Sequence, residues 1–172
     1  MNSVTVSAEA IRVHFDYSSW ASARLLAAAA QLTTEELNHD FGTADKSVLG
    51  TLAHVFAADR IWLTRIQGVP ITTFLDPAER DLTLLQREWP ALYDRWKAWG
   101  KALTDDSINA GCSYKDMKGN VHQSALWQIG LHVVNHATHH RGQVSGFLRT
   151  LGKTPPPQDL IYYYREKFCG VD

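Results

Sequence analysis

The chain has little of what most partner classes would require. It has no excess of charge of either sign: 17 Lys and Arg stand against 18 Asp and Glu, for a formal net charge of -1. A duplex- or RNA-binding chain needs a basic excess gathered on one face, so nucleic acid is not an expected partner. It has no long apolar run: the longest, Leu25 to Ala30, falls far short of a bilayer span, and no membrane partner is expected. The start, MNSVTVSAEAIRVHFDYSSW, lacks a basic segment followed by an apolar one, which leads to the expectation of a cytoplasmic protein. Cysteine is scarce. Cys112 and Cys169 form neither a disulfide framework nor a CxxC site, and they read as incidental thiols of a reducing compartment.

Composition is that of an ordinary globular chain, with 45% hydrophobic and 20% charged residues among 172. That length fits a single domain over residues 1–172 with enough core to fold without staples. Four long helical stretches are expected. The first runs from Ser7 to Ala30, with Ile11, Phe15, Leu25 and Ala29 at helical spacing. The second runs from Asp45 to Gln67, capped by Asp45 or Thr43 and ended by Gly68 and Pro70. The third runs from Ala78 to Leu103, with Asp76 as cap and Pro77 in its first turn; Pro90 inside it should kink or split it. The fourth runs from Ser124 to Leu151 and stops at Gly152 and the prolines 155–157. Between the third and fourth, Ile108 to Tyr114 and Asn120 to Gln123 flank KDMKG, which reads as a short hairpin or an irregular insertion. The expected fold is an all-α four-helix bundle. The tyrosines of DLIYYYREKF are placed over the end of the bundle.

The chemistry is concentrated in LHVVNHATHHRGQVSGFLRTLG, residues 131–152, where His132, His136, His139 and His140 fall close together. Imidazole suits zinc, nickel, copper or iron, and two ligands four apart on a helix can share one ion. At about 100° per residue, Leu126, Ile129, Val133, Val144, Phe147 and Leu151 form one stripe, and His136 and His140 lie within it. His139 falls toward the rim, and His132 is partly exposed or orients a neighbour. The segment is not HExxH, because Ala137 stands where that motif has Glu. A pair needs a third ligand from another element. His14, His54, His122 and an acid such as Asp59 are the candidates, with His54 at the buried edge of the second helix. Asp59 and Asp16 otherwise read as ordinary polar or ion-pair residues. Arg141 reads as structural, for example at a subunit interface, and Gly142 with Gly146 as allowing close helix approach.

Three pieces in order resemble the DinB family, the DinB/YfiT-like metalloenzymes: YSSWASARLL, LAHVFAADRIWLTRIQG and HVVNHATHHRGQVSGFLRTLGKTPPPQDLIYYYRE. The resemblance implies an up-down-down-up bundle, often a homodimer, and a metal triad of His54, His136 and His140. It departs at Ser22, where the family commonly has asparagine after the Trp-Ala pair; this bears on packing rather than on the metal. The implied cofactor is one divalent ion, nickel or zinc first and iron or manganese next. Three neutral ligands leave an open position on a fully charged ion, which lowers the pKa of a bound thiol or water. The implied function is a metal-dependent transferase or isomerase using a low-molecular-weight thiol such as mycothiol or bacillithiol as co-substrate. The alternatives are a metal-dependent hydrolase that activates water at the ion, and a non-enzymatic metal-binding stress-response protein. No catalytic base is assigned.

Overall fold

A computed structural model describes residues 4–69, 71 and 73–170. Helix α1 spans Ala8–Ala29, with Ser7 Oγ accepting from the amide of Ala10. A short helix, α2 (Thr34–Asn38), lies between the first two long helices and is opened by a Thr33–Glu36 capping box. Helix α3 spans Val48–Ile66 and is capped by Ser47, not by Asp45 or Thr43. The expected start of the third helix divides in two. Asp76 caps a single 3-10 turn, Pro77–Glu79, and α4 then spans Leu82–Lys101 under its own cap, Asp81.

Pro90 does not split α4. It sits on the solvent side, so the helix carbonyl that it leaves without a donor faces water, while its neighbour Trp89 is fully buried and holds the helix to the core. The polar insertion is part helix and part hairpin. Ile108 belongs to α5 (Asp105–Asn109), not to a strand, and fills the core. Strands β1 (Gly111–Lys115) and β2 (Val121–Ala125) then pair antiparallel with Tyr114 opposite His122. Their turn is held by Asp116, whose Oδ1 accepts from the amides of Lys118 and Asn120. β2 leads directly into α6, Leu126–Thr150, which ends at Gly152 with φ 73° as the sequence requires. Helix α7 (Leu160–Tyr164) continues into a π-helical turn, Arg165–Cys169. Tyr163 is buried against Tyr17 and Trp20, so the tail does cover the bundle.

Side-chain contacts give the helix directions. Arg12 at the start of α1 bonds the carbonyl of Gly100 at the end of α4, and Ser22 meets Tyr93, so α1 and α4 are antiparallel. Arg141 reaches Ser18 and Ser22, while Gly130 packs on Ile11, so α1 and α6 run parallel. Phe56 packs on Trp89 and Asp59 bonds Trp96, so α3 and α4 are parallel; His54 faces His136 and Trp62 faces His132, so α3 and α6 are antiparallel. The result is the all-α, up-down-down-up four-helix bundle, with a short β-hairpin before the last long helix. Among the described residues no helix is long and apolar enough to cross a membrane.

Candidate metal centre

The antiparallel contact of α3 and α6 brings one face of each helix together near the start of α3. His54 projects from α3, and His136 and His140, one turn apart, project from α6. One nitrogen of each of the three lies within 4.8 Å of the others. His54 Nε2 is 3.2 Å from His136 Nε2. Ligand nitrogens that share a tetrahedral zinc-sized ion at about 2.0–2.1 Å are about 3.3 Å apart, so the spacing fits a shared ion.

The outer nitrogens are anchored. His54 Nδ1 lies 3.4 Å from Asp45 Oδ1, and His140 Nδ1 lies 2.7 Å from Gln143 Oε1 and 4.0 Å from Asp45 Oδ2. A carboxylate or amide behind a histidine fixes the ring and its tautomer and leaves the other nitrogen free for an ion. Nδ1 of His136 is buried without a hydrogen-bond partner. Burial, first, and the neighbouring imidazoles His140, His54, His132 and His139, next, lower its pKa to about 4. Burial also lowers the pKa of His54, with His140 adding to the effect and Asp45 opposing it. Both rings are therefore neutral at pH 7, the form that donates a lone pair. The donor set and spacing fit a divalent cation bound by three imidazoles.

Asp45 was expected as a helix cap; instead it faces the histidines. It reaches them from a strained turn in which Lys46 has φ 65°, and the segment crosses tightly over α3. A Cβ at Gly50 would collide with the carbonyl oxygen of Asp45, so glycine is needed for that crossing. No helical periodicity marks a loop residue of this kind. Gln143, by contrast, stands three residues after His140 on the same helix, and that spacing was available in the sequence.

The other candidates are elsewhere. His14 donates to the carbonyl of Ala10 on its own helix, and His122 pairs with Asp116 in the hairpin. His139 is exposed at the rim, as expected. His132 is exposed, packs edge-on against Trp62 at 5.1 Å and has its ring 5.9 Å from that of His136. Asp16 is a surface residue 3.8 Å from Lys97.

Asp59 and Arg141 are not surface polar groups either. Both are 1% exposed and sit inside the bundle. Asp59 Oδ2 accepts from Trp89 Nε1 and the Tyr93 hydroxyl. Arg141 donates to Ser18, Ser22 and Thr138, so it is occupied within its own chain and not at a subunit interface. Ser22, the departure from the family pattern, links the two, since its hydroxyl meets both Tyr93 and Arg141.

A cavity of about 460 Å³ reaches the cluster from the His54 side and is lined by Asp45, His54, Phe74, Leu75, Pro77 and Arg80. Phe74 lies 5.3 Å from the His54 ring and forms an apolar wall. Neither Cys112 nor Cys169 belongs to the histidine cluster.

The profile of the DinB family matches residues 2–167. The chain is 23% identical to "Protein DinB" of Bacillus subtilis (strain 168) over 157 residues, which covers 87% of this chain and 90% of that one. It is 24% identical to "Uncharacterized protein YizA" of the same organism over 140 residues, 76% of this chain and 81% of the relative. With the match spanning nearly the whole length and the bundle and histidine cluster in place, the chain belongs to the DinB family.

Proposed function

We propose that this protein is a metal-dependent enzyme that adds or transfers a low-molecular-weight thiol, with His54, His136 and His140 as the ligands of one nickel or zinc ion. The observation that carries this reading is the convergence of three imidazoles beside an open cavity, with no cysteine of the chain in the cluster. An ion held by uncharged ligands keeps its full charge and supplies Lewis acidity that favours a thiolate over a thiol at neutral pH. The chain's own residues supply the placement. Asp45 and Gln143 hold the rings of His54 and His140, and burial keeps His136 unprotonated. Phe74, Leu75 and Pro77 give the acceptor an apolar wall.

The test begins with protein purified without an affinity tag and analysed for metal. Consumption of bacillithiol or mycothiol is then followed with an alkyl or aryl halide acceptor, in which a C–S bond forms as halide leaves. Metal-dependent thiol consumption, lost on chelation and restored by nickel or zinc, is the expected result. Turnover that needs no thiol would replace this reading with a hydrolase. Stoichiometric metal with no turnover across acceptors would leave a metal-binding protein only. The same reading takes the chain as a homodimer, and sedimentation at 19.3 kDa at all micromolar concentrations would overturn that part.

A further inference from the structure

The outer wall of the cavity beside His54 belongs to neither long helix. Phe74, Leu75, Pro77 and Arg80 come from the strap that joins α3 to α4. A wall carried on a connecting segment holds its place only if something ties the segment down.

One ion pair does so. Arg60, on α3, turns its guanidinium to the strap. Its Nη1 lies 2.7 Å from Glu79 Oε1, and its Nη2 donates to Glu79 Oε2 at 3.1 Å and to the carbonyl of Phe74 at 3.0 Å. Glu79 Oε2 also accepts from the amide of Asp76 at 2.8 Å. Phe74, Asp76 and Glu79 are thus all bound to a single fork. Among the described residues no other side-chain hydrogen bond joins residues 73–80 to α3. Glu79 is buried, which is unusual for a carboxylate and requires a partner. A guanidinium that meets a carboxylate through two parallel bonds fixes orientation as well as distance.

What the fork positions is the Phe74 ring. It stands 5.3 Å from the His54 ring at an interplanar angle of 50°. Leu75 beside it packs on the core. Asp45, the carboxylate that lines the same cavity, already lies against His54 and His140. The surface next to the histidines is therefore aromatic and apolar, and an aromatic face favours another ring set against it.

We propose that the Arg60–Glu79 pair positions Phe74 as a specificity wall, and that the acceptor this wall selects is one with a flat apolar group, an aryl or alkenyl electrophile. The inference rests on the proposed metal centre and names the substrate class of that site. Arg60 and Glu79 are positioning residues, since they act through Phe74.

The test uses the full chain loaded with cobalt(II), whose visible absorption responds to each ligand added to the ion. Imidazole and 4-phenylimidazole are titrated. Both offer a ring nitrogen to the open position, and only the second carries a further ring to the wall. The wild-type protein should bind 4-phenylimidazole about tenfold more tightly than imidazole. Phe74→Ala should remove that preference. Arg60→Met should remove it too, with imidazole affinity and cobalt stoichiometry as in wild type. Arg60→Lys keeps the charge without the fork and should not restore it. If Arg60→Met does not fold, Glu79→Gln takes its place with the same expectation, because it keeps an acceptor for the Asp76 amide and removes the charge. A pair that only stabilised the fold would lower the unfolding temperature and leave the ratio of the two affinities as in wild type. That outcome overturns the inference, as does a wild-type protein that binds imidazole with no preference for the phenyl analogue, or a preference that survives in Phe74→Ala. Failure to take up cobalt, or a spectrum that imidazole does not change, overturns the proposed metal enzyme and this inference with it.

Discussion

The same two helices carry two clusters of buried polar groups that are built in opposite ways. Toward the start of α3, His54 faces His136 and His140, and like groups are pressed together with their lone pairs converging. Farther along, Asp59 and Arg141 carry opposite charges, yet hydroxyls stand between them: Asp59 accepts from Tyr93, Tyr93 meets Ser22, and Ser22 accepts from Arg141. The second cluster bridges its two charges with its own hydroxyls, leaving Asp59 Oδ1 and Arg141 Nε without partners. The first does not, because one nitrogen of each ring turns toward the other two and Nδ1 of His136 has no partner. A polar cluster whose opposite charges are bridged by hydroxyls ties helices together, whereas one whose lone pairs converge has room for an ion.

The sharpest break of that comparison is to remove one member from each cluster. His54→Ala, His136→Ala and His140→Ala should each lose most of the bound metal, while His139→Ala keeps it and His132→Ala weakens it modestly at most; elemental analysis of tag-free protein reads this directly. Chelation should leave the fold intact, because the core does not pass through the site. Arg141→Met should do the reverse. Asp59 would keep a buried charge without its cation, at a cost of about 3–5 kcal/mol in denaturant unfolding, with metal stoichiometry of the folded fraction retained. Equal metal loss in Arg141→Met and His140→Ala would erase the distinction between the clusters.

Asp45 sharpens it further, since it reaches the histidine cluster from outside the helices. Asp45→Ala should weaken metal affinity by about 10–100-fold while three ligands remain. Gly50→Ala should produce a related loss by displacing Asp45, since its new Cβ would collide with the Asp45 carbonyl. Competition with a metal-binding dye measures both. Affinity equal to wild type in Asp45→Ala would show that His54 is oriented without it.

What the sequence made legible follows the same division. Periodicity located all four long helices and placed His136 and His140 inward, because burial along a helix repeats with the helical turn. It missed the 3-10 turn before α4, the short helices α2 and α5, and the cap at Ser47, where competing caps stand close together: Thr43, Asp45 and Ser47 before one helix, Asp76 and Asp81 before another. From the sequence Asp59 reads as an ordinary polar residue and Arg141 as a structural one without its partners, since a buried charge is recognised only once its partners on other helices are known. The partners come from α1 and α4, through Ser18, Ser22, Trp89 and Tyr93, and no local pattern announces them. The third ligand was one of several candidates until the family resemblance selected His54.

The smallest expected effect is also the most discriminating, because the two clusters respond to acid with opposite signs. In metal-free protein the folded His136 has its pKa lowered to about 4 from 6.5, chiefly by burial. Between those values the unfolded chain binds a proton that the folded chain refuses, so this group's contribution falls as pH drops from 6.5 to about 4. Asp59 has its pKa raised to about 6 from 3.8, again chiefly by burial, against the bonds from Trp89 and Tyr93 and the charge of Arg141. There the folded chain takes the proton first, so this contribution rises as pH drops from about 6 to 3.8. Over the shared window the two oppose each other. Chelated His136→Ala should therefore gain stability relative to chelated wild type as the buffer goes from pH 7 to pH 4. Asp59→Asn should lose stability relative to wild type over the same range. Thermal unfolding of the three proteins across that range measures it. Carboxylates held below their usual range, such as Glu36 and Glu166, are common to all three and cancel in the differences. Two differences of the same sign would mean that the clusters are not electrostatic opposites.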